Sequence, residues 1–410
     1  MSTTFASQPA VASPVEDASG RIIGRDILCF SHDWTGDPLS KTHLMRLLAR
    51  SNRVLWVNSI GYRTPKVNRA DFSRAWKKLT ASRQPLREVE PNLFVLNPLA
   101  IPAYGLGAVR SLNRWWLRSQ LVRAMRKLGF QRPINWVFNP TAAVIAGTLS
   151  EEELIYHCVD EYSAFSGVTP LAVLELEEQL LRKADLVIVS AEPLRESKGR
   201  TNPRTVLVRH GVDFAHFRQA LDSQTQVPAE IASLPRPVIG FFGLIADWVD
   251  VELMAAVARR YPQGSLVVLG KATTDTSPLA ALPNVHLLGR KPYTELPAYC
   301  RGFDVALNPF RINELTLNAN PLKVREYLAA GLPVVSTNIP EVAVLDCCRI
   351  GNSPEQFLEQ VEAALAQPGP QPAISEAMRS ESWEARLEEI ERHRADVSRK
   401  RRGQSVRSET

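Results

Sequence analysis

Residues Asn318–Thr337 read NANPLKVREYLAAGLPVVST, a helix entered and left at defined points. Asn320 is a favoured helix-capping residue, and Pro321 is tolerated in a first turn. Gly331 can close the helix in a left-handed conformation, and after Pro333 the run VVST has the character of a buried strand. The open end of such a helix presents unpaired backbone N–H groups and a partial positive charge, which suits an anion. Lys323 adds a full cation in the first turn, and Glu326, three residues on, lies on the same face. A cation at a helix tip with a carboxylate one turn deeper suits a nucleoside diphosphate: ammonium to the phosphates, carboxylate to the ribose hydroxyls. The same residues also describe an ordinary capped helix with a solvated Lys–Glu pair. Spacing does not separate the two.

Working outward, short β-branched or aromatic runs alternate with amphipathic helical stretches along nearly the whole chain. Strands are predicted at Asp26–Phe30, Val54–Asn58, Leu93–Leu96, Asn135–Phe138, Leu154–Cys158, Leu186–Val189 and Thr205–Val208. After a Pro-containing linker the pattern restarts at Val238–Phe242, Leu266–Leu269, Val285–Leu288, Val305–Leu307 and Val334–Ser336. Helical patterns such as Lys41–Arg50, Val109–Leu128 and Leu171–Lys183 lie between. This alternation predicts an α/β chain with two doubly wound, Rossmann-like domains facing a cleft. Ligands of open parallel sheets sit beyond the carboxyl ends of the strands, so residues just after each strand become the suspects.

The 410 residues allow two or three domains at about 150 residues each. With 45% hydrophobic and 22% charged residues, the chain belongs with soluble globular proteins and not with collagen, coiled coils or disordered chains. Its five cysteines include the adjacent pair Cys347–Cys348 and form no metal-binding spacing. A reducing compartment is therefore expected rather than a disulfide framework. The opening twenty residues read as a disordered arm without a secretory pattern, and a cytoplasmic location follows as the expectation. There is no G-x-G-x-x-G, no Walker pattern and no D-x-D at a strand end, so no metal or cofactor is expected.

The run NPLKVREYLAAGLPVVST resembles the donor-binding segment of GT-B glycosyltransferases, above all the family 4 type of bacterial exopolysaccharide pathways. VRHGVDFAHF (208–217) resembles the segment that closes the first domain in that family. IGFFGLIADWVDVELM (239–254) resembles the opening strand and loop of the second domain, and FDVALNPFRINELT (303–316) the strand leading to the donor loop. The resemblance spans roughly residues 26–391. It implies an arm (1–20), an acceptor-binding domain (21–213), a nucleotide-sugar-binding domain (214–380), a C-terminal helix (381–397) crossing back to the first domain, and a basic tail (398–410). It also implies hexosyl transfer from a nucleotide-diphosphate sugar, with retention the more usual course in family 4. Donor binding is assigned to Lys323, Glu326, Asn320 and Gly243, with Lys271 and Arg290 as further candidates after glycines at strand ends. Two departures stand out. Asn318 occupies the position of the first of the family's two glutamates, and Asp247 and Trp248 fill the loop where an Arg and a Lys often hold the diphosphate.

In the first domain, IYHCVDEY (155–162) runs a strand into His157 and Asp160. His157 aligns with a histidine common in family 4; Asp160 resembles the base of an inverting xanthan glucuronosyltransferase. Each also fits a bland reading, as a core imidazole and a helix cap. The loop SHDWTGDPLSKTH (31–43) offers Asp33, Gly36 and Lys41 on the acceptor side. Residues 62–132 hold fifteen Lys and Arg against three acids, leaving the remainder acidic. Arg110, Arg114 and Arg118 recur every four residues beside Trp115 and Trp116. Cationic stripe, tryptophans and the apolar stretch before them suit an anionic membrane surface. A solvated face is the plain alternative, and a nucleic-acid groove fits poorly with the acidic remainder, so no nucleic acid is expected. The expected acceptor is a lipid-linked sugar or growing polysaccharide at the inner face of the plasma membrane. Two other functions share the architecture: a catalytically silent partner subunit and a nucleotide-sugar epimerase.

Overall fold

The computed structural model describes residues 20–34, 38–59, 86–101 and 107–408, with side chains to residue 399. The expected arm (1–20, save its last residue), Gly36 and the cationic positions between Arg63 and Arg83 lie outside the described residues. Among the described residues, fourteen strands form two sheets. The first contains β1 (Asp26–Phe30), β2 (Arg53–Val57), β3 (Leu86–Glu90), β4 (Leu93–Leu96), β5 (Ile134–Val137), β6 (Glu153–Cys158), β7 (Leu186–Val189) and β8 (Thr205–Leu207). Their order is β3-β4-β2-β1-β5-β6-β7-β8, parallel except for the β3–β4 pair. The second contains β9 (Val238–Phe242), β10 (Ser265–Leu269), β11 (Val285–Gly289), β12 (Val305–Asn308), β13 (Val334–Thr337) and β14 (Cys348–Gly351), in the order β11-β10-β9-β12-β13-β14.

The central strands are buried on both faces because helices cover both sides, which is why they read as continuous apolar runs. β5, β7 and β9 are buried at every position. Each sheet supports its own core, one built around Trp56, Trp136 and Tyr156 and the other around Phe241, Phe303 and Tyr327.

The C-terminal helix Trp383–Ser408 follows the second domain in sequence but adds Trp383 and Ile390 to the first domain's core. Trp383 stacks on His43 with ring centroids 5.4 Å apart. Glu391 accepts the Ile22 N–H at 2.8 Å, and Arg394 pairs with Glu153 at 2.6 Å. The helix thus crosses back as expected, but it is one element through Ser408; the stretch from 398 continues the helix instead of forming a separate tail. The domains are also tied by Glu341, which is buried and accepts from Arg209 Nε and from the Glu192 N–H, both at 2.7 Å.

Candidate active site

The carboxyl ends of both sheets open onto one cavity of about 620 Å³. Its second-domain wall is the tip of helix Leu322–Ala329. The capping residue is Pro321, and among the described residues no side chain caps the turn. Asn320, expected to do so, is turned away. Its Nδ2 donates to the Ser190 carbonyl at 2.7 Å, while its Oδ1 accepts from buried Arg325. That corrects the sequence reading: Asn320 joins the domains, and the N–H groups at the helix tip lack a side-chain acceptor. An uncapped tip facing a cavity is a site for an anion.

Lys323 stands in that first turn, its Nζ 4.1 Å from the ring centre of Phe241 and 4.9 Å from that of Phe310. Burial lowers its ammonium to about 7, partly offset by Glu326. A phosphate would restore the lost solvation. Gly243 comes so close that a Cβ there would meet Lys323 Nζ at 2.8 Å, and its φ of +129° disfavours any other residue. Glu326, Lys271 and Arg290 also line the cavity, the last two as exposed side chains.

On the first-domain wall, Asp160 follows β6 and Lys41 sits in the first turn of helix Ser40–Ala49. Burial raises the Asp160 carboxyl to about 6, with Lys41 opposing and Glu161 reinforcing the shift. Lys41 is lowered by burial and supported by Asp160; its Nζ lies 3.4 Å from the Tyr162 hydroxyl. A carboxylate with a proton affinity near neutrality beside an ammonium can accept or position a hydroxyl proton.

The structure does not bring His157 to the cavity. Its ring is buried, stacked on Phe138 at 4.8 Å, and its Nδ1 accepts from Trp136 Nε1 at 3.4 Å. Burial holds it neutral, well below the usual imidazole range. Asp33 is exposed and accepts the Ser59 N–H at 3.0 Å, apart from the cavity lining. Asn318 donates to the Glu314 carbonyl at 2.8 Å and does not line it either.

Among the cavity residues that sequence reasoning did not assign to the site are Phe165, His210, Trp248 and Tyr293. His210 Nδ1–H donates to the Asn320 carbonyl at 2.9 Å, at the seam between the domains. Phe165 and Trp248 meet across the cleft edge to face, 6.4 Å between ring centres, and Ser166 donates to Asp247 beside them. Composition gave no signal for these meetings, because their partners belong to different domains. The loop holding Asp247 and Trp248 therefore bridges the cleft.

On helix Gly107–Leu128, Trp115 is 70% exposed and Trp116 half-buried. Arg110 pairs with Glu175 at 3.1 Å, and Arg118 Nε donates to the Thr148 carbonyl at 3.1 Å, while Arg114 is exposed. No helix among the described residues is long and apolar enough to cross a membrane. None of their His, Cys, Asp and Glu side chains form a group of three or more placed to hold a metal ion.

Residues 236–367 match the family described as Glycosyl transferases group 1. The fold is shared with trehalose 6-phosphate synthase of Burkholderia multivorans (TM-score 0.62, 13% identity, 92% of this chain and 99% of that one). It is shared too with sucrose-phosphate synthase of Thermosynechococcus elongatus (TM-score 0.58, 16% identity, 94% and 98%). Anabaena Alr3699/HepE, solved in complex with UDP, aligns with TM-score 0.56 and 14% identity over 94% of this chain and 100% of that one. The chain thus has the GT-B fold of these glycosyltransferases, and its second domain carries the match to Glycosyl transferases group 1. Among curated proteins, the putative teichuronic acid biosynthesis glycosyltransferase TuaH of Bacillus subtilis is 26% identical over 262 residues, 58% of this chain. The match spans 65% of that relative, just under two thirds of its length.

Proposed function

We propose that this chain moves a hexose from a nucleotide-diphosphate sugar to a lipid-linked or growing polysaccharide acceptor in cell-envelope glycan synthesis. The observation that carries the reading is Lys323 beside the uncapped tip of helix Leu322–Ala329, inside a cavity shared by both domains. The second domain holds the donor there. As the bond from the anomeric carbon to the phosphate oxygen breaks, charge grows on the diphosphate, and the ammonium and helix N–H groups stabilise it without a metal. Glu326 takes the ribose hydroxyls, and Lys271 and Arg290 stand at the rim of the donor site. Asp160, with Lys41 beside it, receives or orients the acceptor hydroxyl. Similarity to a teichuronic acid glycosyltransferase supports the envelope role. Retention is the expected stereochemistry; a product of inverted anomeric configuration would assign Asp160 the role of direct base.

The acceptor reaches the site from an anionic membrane on the cytoplasmic side, which helix Gly107–Leu128 contacts through Arg114, Trp115 and neighbouring cations. The test is transfer of radiolabel from UDP-, GDP- and TDP-sugars into the lipid or polymer fraction of membranes. Label in that fraction supports the reading, and free nucleotide-sugar interconversion alone points to an epimerase. Asn318 and the bridging Asp247–Trp248 loop favour one second reading, a silent subunit that binds nucleotide sugar. Donor binding without transfer in any combination would select it.

A further inference from the structure

A second cavity, of about 580 Å³, lies at the amino-terminal end of β13 and β14, the sheet edge opposite the cleft. Pro333, Val334, Asp346, Cys347, Cys348 and Arg349 line it. Successive side chains in a strand point to opposite faces. Here Cys347 belongs to the turn before β14 and only Cys348 to the strand, and both residues line the same cavity. Both are half-buried, whereas Cys29, Cys158 and Cys300 are buried in the two cores. Burial pushes those three thiols up, away from the reactive thiolate form.

We propose that Cys347 and Cys348 form a peroxide-sensitive modification site, with Cys347 the attacking sulfur and Cys348 the resolving one. The Cys347 thiolate attacks one peroxide oxygen, the O–O bond breaks and hydroxide leaves, giving a sulfenic acid at Cys347. The Cys348 sulfur then attacks the Cys347 sulfur. Water departs with the Cys348 proton, and a disulfide joins the neighbours. Two thiol sulfurs are each oxidised by one electron while hydrogen peroxide is reduced to the level of water.

The roles also agree with the electrostatics: the neighbouring Cys348 thiol lowers the Cys347 thiol, with Arg325 adding to the shift, while Cys347 and burial push Cys348 up. An accessible low-affinity thiol next to a resolving thiol is the arrangement of peroxide sensors. Adjacent Cα atoms are only ~3.8 Å apart, below the usual disulfide span, so the bridge is strained and readily reduced.

The test uses the full chain and sub-millimolar hydrogen peroxide, with no sugar substrate, so it fails or succeeds independently of the proposed glycosyl transfer. The native chain should lose about two mass units, localised to one peptide containing both residues, and dithiothreitol should restore them. Cys348→Ser should instead accumulate a dimedone-trapped sulfenic acid at Cys347. Cys347→Ser should react ~10-fold more slowly or less. The proposal is overturned if the native chain keeps both thiols, stops at the sulfenic acid, or oxidises first at Cys29, Cys158 or Cys300. An unchanged rate in Cys347→Ser would overturn the assigned order of attack.

Discussion

Two side chains on opposite walls of the cavity carry opposite pH dependences. Asp160, raised to about 6, is a carboxylate above that pH and loses its ability to take a proton as pH falls through it. Lys323, lowered to about 7, is an ammonium below that pH and loses its charge as pH rises. The pH profile of kcat/KM should therefore be bell-shaped, with its acid limb near 6. Asp160→Asn should lower kcat by about 100-fold or more and abolish the acid limb while leaving the alkaline one. An acid limb that survives this substitution would assign it to another group. Gly243→Ala places a methyl group against Lys323 in a strained backbone conformation, a cost on the order of 1–3 kcal/mol. Nucleotide affinity should drop by about 10-fold or more and the melting temperature by about 2–4 °C per kcal/mol of that strain, as calorimetry and a melting curve would show.

Element by element, twelve strands lie within a residue or so of where the sequence places them; ten are buried at nearly every position and announce themselves as apolar runs, while the edge strands β8 and β11 are not. The two unforeseen strands are both edges. β3 is LREVE, three charged residues among two apolar ones, paired with β4, and β14 is the short CRIG. Neither is buried throughout, so neither shows an apolar run. The placement of Lys323, Glu326, Lys41 and Asp160 on the cavity wall was legible because strand ends and helix tips are read locally. Asn320 was misread as a cap, since Ser190 and Arg325, which claim it, meet it only after folding. The C-terminal helix adds one element's worth of docking to the first domain. Ile390 is wholly buried there, so Ile390→Ala should destabilise by about 2–5 kcal/mol, read as a lowered midpoint in urea. An unchanged midpoint would show that the helix contributes nothing to that core.

For the molecule as a whole, the cleft is held shut on one side by Phe165–Trp248 and Ser166–Asp247 and tied at the seam by Asn320, His210 and Glu341. An aromatic pair of this geometry is worth about 0.5–1.5 kcal/mol. Trp248→Ala should thus shift the balance toward an open form by roughly 2- to 10-fold, visible as a larger radius of gyration in small-angle scattering. No expansion would mean that the seam alone sets the closure. These meetings were invisible in the sequence because each needs two domains already folded and docked.

Everything in the functional account depends on a nucleoside diphosphate seated at the tip of helix Leu322–Ala329, so the decisive measurement is calorimetric titration with UDP, GDP and TDP. At pH 6.5 one of them should bind, and Lys323→Ala should weaken it by about 10- to 100-fold while leaving the melting temperature intact, the loss expected for a charge-assisted hydrogen bond. Affinity in the native chain should also fall as pH rises above 7. Near-native affinity in Lys323→Ala, or no binding of any of the three, would contradict the account.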